Sequence, residues 1–526
     1  MTPLHPPSPA TENLATSNEP PLNSFQSLSD NLAQTKARLD IVSDRIEIME
    51  DNLRVLHEER DRLTGFVATY KQILHPIRRL PENVLREIFR ASTENGSGAM
   101  ELYARQKGMV SVMDSLCPTN APWTLSQVSR RWREVAVSYS SLWAFVAITF
   151  PGPQSTQPFL AGMGAQLSRQ LRRSGSSTLT VALYSNHLLE ATDPFLMTIS
   201  SHSDRWSALR IDFPPKDLQT LGGFIRGAIP NLRKLYLRHP DSALFHPPDL
   251  EEMKAFEIAP KLFDFTISTQ KSLALHLPIP WPQITRLRTI ADCKATDKYS
   301  YHQKVPNLDA YYVHVSRPTT RNPAAFTTSF SLLTVHFSTT DTKCENGEFL
   351  LVNLNPTHLR DLRINAPVAK SLRIEIPASV GETLRNLCLR MDSLTSIEVA
   401  TVFPSLPALE SLSLCNVQGE VLSDLASLDI TTGMMQFLPR LRDIGFYATK
   451  IKACHEPSLL RLLDNRFRHH PGSKAPTSTG KPLQNLRIHR NIPLQEATLH
   501  ELEIMTSEGL QVDTSPADWI HFFPGF

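Results

Sequence analysis

The sequence has little of what marks catalysts, disulfide frameworks or membrane proteins. It carries six cysteines in 526 residues, at positions 117, 293, 344, 388, 415 and 454, with no C-x-x-C pair. Scattered, reduced thiols are expected rather than a disulfide framework or a zinc site. Long hydrophobic runs are missing as well. The longest, Leu142 to Phe150, is far shorter than the stretch of roughly 20 residues that spans a bilayer. No basic flank joins an apolar run near residue 1, so no targeting segment is expected. Neither charge dominates: 54 Lys and Arg against 52 Asp and Glu give a formal net charge of +2. Without a basic excess to neutralise phosphates, nucleic acid is not an expected partner, and no membrane partner is expected either. A soluble protein of the cytoplasm, the nucleus or both is the expectation.

Catalytic spacings are equally scarce. There is no G-x-S-x-G, no G-x-x-x-x-G-K-[ST], no H-E-x-x-H and no G-x-G-x-x-G. His469-His470, beside Pro and Gly, reads as a solvated loop, and His57-Glu58-Glu59 lacks the second histidine of a zinc site. No enzymatic activity, cofactor or metal is expected.

What is present is periodic. Residues 1–28 hold six prolines with Ser, Thr and Asn, and read as a disordered tail. Residues 29–75 then read as one heptad helix. Leu32, Leu39, Ile46, Leu53, Arg60, Val67 and Leu74 are spaced by seven, with Val42, Met49, Leu56, Leu63 and Tyr70 three residues behind their partners. These are a and d positions, with Arg60 the one charge among them. Ile41, Ile48 and Val55 widen the stripe beyond a two-stranded seam. Two outcomes stay open: a coil between two copies, or a helix folded back on its own chain. In a parallel dimer Arg45 at g would meet Glu50 at e.

Pro76 ends that helix, and Leu80-Pro81 starts another, because proline at the first helical position gives up no useful hydrogen bond. Pro81, Val84, Leu85 and Ile88 share one helical face, with Phe89 beside them, and the helix is expected to run to about Ala91. Residues 92–98, S-T-E-N-G-S-G, read as a loop, and 99–113 as a loose helix. Residues 121–136 follow as a second helical patch, A-P-W-T-L-S-Q-V-S-R-R-W-R-E-V-A. Leu125, Val128, Trp132 and Val135 are expected on one face of it, with Trp123 ahead of them and Ser141-Leu142-Trp143 after.

The motifs L-P-E-N-V-L-R-E-I-F, V-S-R-R-W-R-E-V-A and S-L-W, in that order, resemble an F-box. The layout, a heptad helix running into P-I-R-R-L-P and then A-P-W-x-L-x-x-V-x-x-x-W, is similar to a group of fungal F-box-like proteins. The likeness covers residues 76–145, with an insertion at 92–121 that a compact F-box lacks and that group commonly has. It implies docking onto the Skp adaptor of a cullin-based ubiquitin ligase. The implied contact residues are Leu80, Pro81, Val84, Leu85, Ile88, Phe89, Trp123, Leu125, Val128, Trp132 and Val135.

Residues 150–526 change texture. After a helix over Leu160 to Arg173 and a strand over Leu179 to Leu183, the pattern L-x-x-L-x-L recurs. It starts at Trp206, Leu232, Leu262, Ile284, Leu308, Leu332, Leu359, Leu384, Leu409, Leu441 and Leu483. Most intervals are 22 to 32 residues, and proline precedes many units. Such units cannot bury an apolar face alone and must stack. The whole reads as α+β: a long N-terminal helix and a small helical F-box-like module, followed by an α/β array that resembles leucine-rich repeats. Alternate residues should line one concave wall: Lys234, Tyr236, Arg238, Arg286, Arg288, Tyr312, His314, His336, Asp361, Arg363, Asn386, Arg390, Asp443, Tyr447, Arg487 and His489, with Cys388 and Cys415. Arginine and tyrosine are frequent there, and both are enriched at interface hot spots. Protein substrate binding is the expected role, with a ubiquitin-independent scaffold that self-associates through 29–75 as the alternative.

Overall fold

The computed structural model describes residues 22–97, 115–185, 187–238, 254–268, 277–291, 304–315, 334–339, 358–366, 376, 378–394, 396–417, 419–427, 437–447, 455–468, 483–488, 492 and 494–514. Two compact units divide between Val84 and Leu85.

The first unit is built on helix α1, Leu22–Ile73. Residues 22–28, expected in the tail, therefore belong to the helix, and only 1–21 lie outside the described residues. Pro76 closes it as expected, and the chain continues as a 3-10 turn, Pro76–Arg79, whose start is capped by His75 Nδ1 accepting from the Ile77 N–H at 3.2 Å. The stripe of α1 is not buried: Leu32, Leu39, Ile46, Leu53, Leu56 and Leu63 are each 50 to 64% exposed.

Helix α2, Glu82–Ser97, corrects the loop expected at 92–98. Ser92 and Thr93 hydroxyls both donate to the Phe89 carbonyl, at 2.8 and 3.0 Å, so side chains that usually favour turns here back-bond onto the helix. The loose helix read over 99–113 falls outside the described residues. The single helix expected over 121–136 is divided. A 3-10 turn, Leu125–Gln127, is followed by helix α3, Arg130–Ser138. Ser129 causes the break: its backbone is extended and its hydroxyl accepts the Trp132 N–H at 3.1 Å, an N-cap inside what reads as a continuous periodic run. A further 3-10 turn, Ser140–Trp143, leads into the sheet.

Among the described residues that sheet has fourteen strands, β1 to β14, in sequence order, and every neighbouring pair is parallel. The chain is thus a long N-terminal helix followed by a parallel-strand sheet with helices. β1 is Phe145–Thr149 and β2 Leu179–Tyr184, joined by helix α4, Gln157–Arg173. The eleven leucine-led units become β3 (Trp206–Asp212), β4 (Lys234–Arg238), β5 (Asp264–Ser268), β6 (Arg286–Ala291), β7 (Ala310–Val315), β8 (Thr334–Thr339), β9 (Asp361–Ala366), β10 (Asn386–Leu394), β11 (Ser411–Val417), β12 (Asp443–Tyr447) and β13 (Asn485–Ile488). β14, Gln511–Asp513, closes the order.

Parallel neighbours need a crossover each, and here the crossovers vary. Helices Pro215–Ile225 and Glu456–Leu463 serve two of them, while the 3-10 turns Lys254–Phe256 and Trp281–Gln283 serve others. Helices and inward strand residues share one continuous core, from Leu116 through Leu235, Phe265, Leu287, Leu362 and Leu412 to Leu510. Each fully buried Leu or Phe contributes about 1.5–3 kcal/mol relative to exposure. The Ile284 unit shows what a poor match costs. Thr289 stands in the third apolar place, 2% exposed, and among the described residues its hydroxyl finds no hydrogen-bond partner.

In three of the units the polar residue just before the first apolar position adds a lateral tie. Asn231 Nδ2 donates to the Asp204 carbonyl at 2.8 Å, Gln283 Nε2 to Ala259 at 2.5 Å, and Asn307 Nδ2 to Pro282 at 2.8 Å. In each case one turn satisfies a backbone carbonyl of the turn before it.

Candidate interaction surfaces

In the unit that begins at Leu85, the aromatic residues near its start form a framework. Trp123 Nε1 donates to the Ser115 carbonyl and Trp143 Nε1 to that of Ala136, both at 2.7 Å. The two rings meet edge-on at 4.8 Å, and Arg173 of α4 lies over both, at 5.1 and 4.4 Å. Burial, and then the charges of Arg169, Arg172 and Arg133, lower the Arg173 pKa. Gln170, fully buried, donates to the Phe145 carbonyl at 2.6 Å and is paired at 3.1 Å with the Ser115 hydroxyl. These bonds fasten the aromatic patch to β1 and α4. Phe89 packs against Trp132 at 5.0 Å, and Arg133 Nε donates to the Ser126 carbonyl at 2.9 Å.

The expected adaptor residues divide accordingly. Leu85, Phe89, Trp123 and Val135 are buried, and Leu80, Leu125 and Trp132 are half-buried. Pro81, Val84, Ile88 and Val128 are exposed. The single face expected for Leu125, Val128, Trp132 and Val135 does not exist, because the Ser129 cap turns the chain between Val128 and Trp132. Val128 stands 60% exposed while Val135 is 6% exposed.

On the sheet face away from the core, parallel register sorts the expected wall residues into rows. One row runs Lys234, Asp264, Arg286, Ala310, Thr334, Asp361, Asn386, Ser411, Asp443, Asn485. Basic and acidic groups are interleaved in it. The next runs Arg210, Tyr236, Thr266, Arg288, Tyr312, His336, Arg363, Cys388, Ser413, Gly445, Arg487, Asp513 and carries four arginines, with an acid only at its β14 end. The guanidiniums of Arg210 and Arg288 stack over the rings of Tyr236 and Tyr312, at 4.3 and 4.6 Å. In the third row Arg238 pairs with Asp212 at 3.5 Å, and Arg390 and Tyr447 lie farther along. Lys234, Arg286 and Asn386 are exposed, and Arg238, Arg288, Tyr312, Asp361, Arg363, Arg390, Asp443 and Arg487 are half-buried. The side chains of His314 and His336, and all of His489, fall outside the described set.

The wall is closed where β10, β11 and β12 meet. Cys388, Cys415 and Tyr447 are 6, 4 and 2% exposed, against the expectation that they line an open surface. Gly445 is the reason: a Cβ there would sit 2.8 Å from the Tyr447 ring, so only glycine lets the ring lie down on its own strand. Burial raises the pKa of Tyr447, which Arg487 partly offsets. Burial also pushes the Cys415 thiol up to about 12, and pushes Cys388 upward too, with the neighbouring Cys415 adding to the shift. Both thiols stay protonated near neutral pH and are poor nucleophiles.

Sequence reasoning missed Arg210, Asp212 and Asp264, although their units were recognised at Trp206 and Leu262. The same alternation that nominated Lys234 and Tyr236 reaches them. It also missed β14, whose Leu510-x-Val512 is too short to stand out. Arg466 carried no sequence signal at all. It is 3% exposed, its side chain donates to the carbonyls of Leu425, Phe437 and Leu438, and burial lowers its pKa to about 10.

No family model matches the sequence, and no curated protein matches it significantly. Among solved structures, the leucine-rich-repeat protein LegL7 from Legionella pneumophila is similar at 13% identity and a TM-score of 0.33, over 61% of this chain and 97% of that one. At that level the likeness says nothing about what this chain binds. Among the described residues no helix is long and apolar enough to cross a membrane.

Proposed function

We propose that the protein is a non-enzymatic receptor of leucine-rich-repeat type, whose sheet face holds a protein substrate while residues 76–145 dock a Skp-family adaptor and, through it, a cullin. In this reading it is the substrate-recruiting subunit of a Skp-cullin-F-box ubiquitin ligase, working in the cytoplasm, the nucleus or both. Other subunits perform ubiquitin transfer. The observation that carries the reading is the division of labour around α2 and α3. Phe89, Trp123, Trp143 and Arg173 hold the patch together, while Ile88 and Val128 stay 38 and 60% exposed without serving it. Apolar side chains left outside a packed framework suit a partner surface. The order of the motifs from Leu80 to Trp143, which resembles an F-box, supplies the identity of that partner.

The test is co-precipitation of the full chain with purified Skp adaptor. Ile88→Asp with Val128→Asp is expected to abolish capture at an unchanged unfolding midpoint. Leu85→Asp cannot serve, because Leu85 is fully buried and the change would unfold the protein. Capture that survives the double substitution, or no capture by the wild type, removes the adaptor role.

A second reading is favoured by the exposed stripe of α1: a ubiquitin-independent interaction scaffold that self-associates through residues 29–75. Light scattering on the full chain and on a form lacking residues 1–75 decides it. A monomer in both removes it.

A further inference from the structure

The structure lengthens the heptad frame of α1. Because the helix begins at Leu22, Phe25 and Leu28 fall in phase with the a and d positions, and both lie within it. At the other end the Leu74 N–H still donates to the Tyr70 carbonyl at 2.9 Å. A 52-residue helix is about 78 Å long, and its seam is left exposed along its length. A partner must repeat the same seven-residue spacing over the same length, and a second copy of this chain does so.

One residue in the seam weighs on orientation. In a parallel, in-register pair every a position meets itself, so Arg60 would face Arg60 of the other copy. Two like charges would then sit in an apolar layer. In an antiparallel pair a positions face d positions. Centring the pair on Asp51 sets Leu39 against Leu63 and Ile46 against Leu56, and brings Leu74 to Leu28, so the frame is used from Leu28 to Leu74. Arg60 then meets Val42, and Arg45 meets Glu59 twice along one flank. The cost is a Glu50 to Glu50 contact at the midpoint, but that pair lies on the solvent flank, where screening makes it small. We propose that α1 forms an antiparallel two-stranded coiled coil with a second copy of the chain. It rests on the self-association reading above.

The experiment uses the full chain. Light scattering should give a dimer. In the double variant Leu39→Cys with Leu63→Cys, mild oxidation should link peptide 39 to peptide 63 between copies, whereas a parallel pair links 39 to 39 and 63 to 63. Glu59 pairs at 3.2 Å with Arg62 of its own helix, an exposed contact worth little. Glu59→Lys should therefore act mainly across the dimer, weakening it about fivefold, and adding Arg45→Glu should restore it. In a parallel pair Glu59 faces Thr64, so Glu59→Lys changes nothing, and Arg45→Glu meets Glu50. A monomer overturns the self-association reading together with this proposal. A dimer linked 39 to 39, or a trimer or tetramer, overturns only the antiparallel pair.

Discussion

Helix α1 and the parallel sheet are both written in regular apolar repeats, and the repeats meet opposite ends. Along α1 a side chain such as Leu53 stays 55% exposed, whereas Leu412, the matching kind of residue in β11, is fully buried. The difference lies in the geometry of the unit. A helix turns its apolar residues to one side and offers nothing on that side to cover them. A strand-and-crossover unit brings its own lid, because its helix or turn packs on the same inward row that the next strand extends. Apolar repetition of the first kind asks for a partner, and of the second kind it builds a domain.

The largest effect that separates the two regions is a large-to-small substitution in each. Trp143→Ala is expected to lower the unfolding free energy of the sheet by about 3–5 kcal/mol, since the ring is fully buried and braces Trp123 and Arg173. Leu53→Ala should leave that unfolding unchanged within about 0.5 kcal/mol and act only on self-association. Urea titration with light scattering in parallel checks both, and equal effects on sheet unfolding would erase the distinction.

Gly445→Val comes next. It should cost about 1–3 kcal/mol and expel the Tyr447 ring, seen as a rise in tyrosine accessibility to nitration. The buried thiols sharpen the contrast through pH. Cys415 keeps its proton to about pH 12 in the folded chain, while in the unfolded chain it loses it near 8.5. The unfolded state thus binds fewer protons between those values. The stability from this group is complete below about pH 8.5 and should fall by about 1.4 kcal/mol per pH unit as pH rises toward 12. At neutral pH, alkylation mapped by mass spectrometry should mark the half-buried Cys117 before Cys388 or Cys415. The smallest effect is a gain: Thr289→Val should stabilise the sheet by about 1 kcal/mol by removing a buried hydroxyl without a partner.

Much of this was legible from residue order. The a and d positions named a helix over 29–75, and each leucine-led unit from Trp206 to Leu483 gave a strand. What failed did so for local, physical reasons. S-T-E-N-G-S looked like a loop, but the Ser92 and Thr93 hydroxyls bond back to Phe89 and the helix carries on. Leu125, Val128, Trp132 and Val135 kept helical spacing, yet Ser129 caps a new helix between them. Alternation put Tyr447 and the two cysteines on an open wall, but a missing Cβ at Gly445 let the ring close over that corner.

The sequence by itself determined periods: seven along the helix, and one strand per leucine-led unit, because these depend on neighbours a few residues apart. The tertiary structure alone decided which residues stand side by side across the sheet. Arg210 and Tyr236, or Arg288 and Tyr312, are partners only because parallel strands align in register, and that register is set by the shared core behind them. The same core decided that Trp123 turns inward while Val128 is left outside.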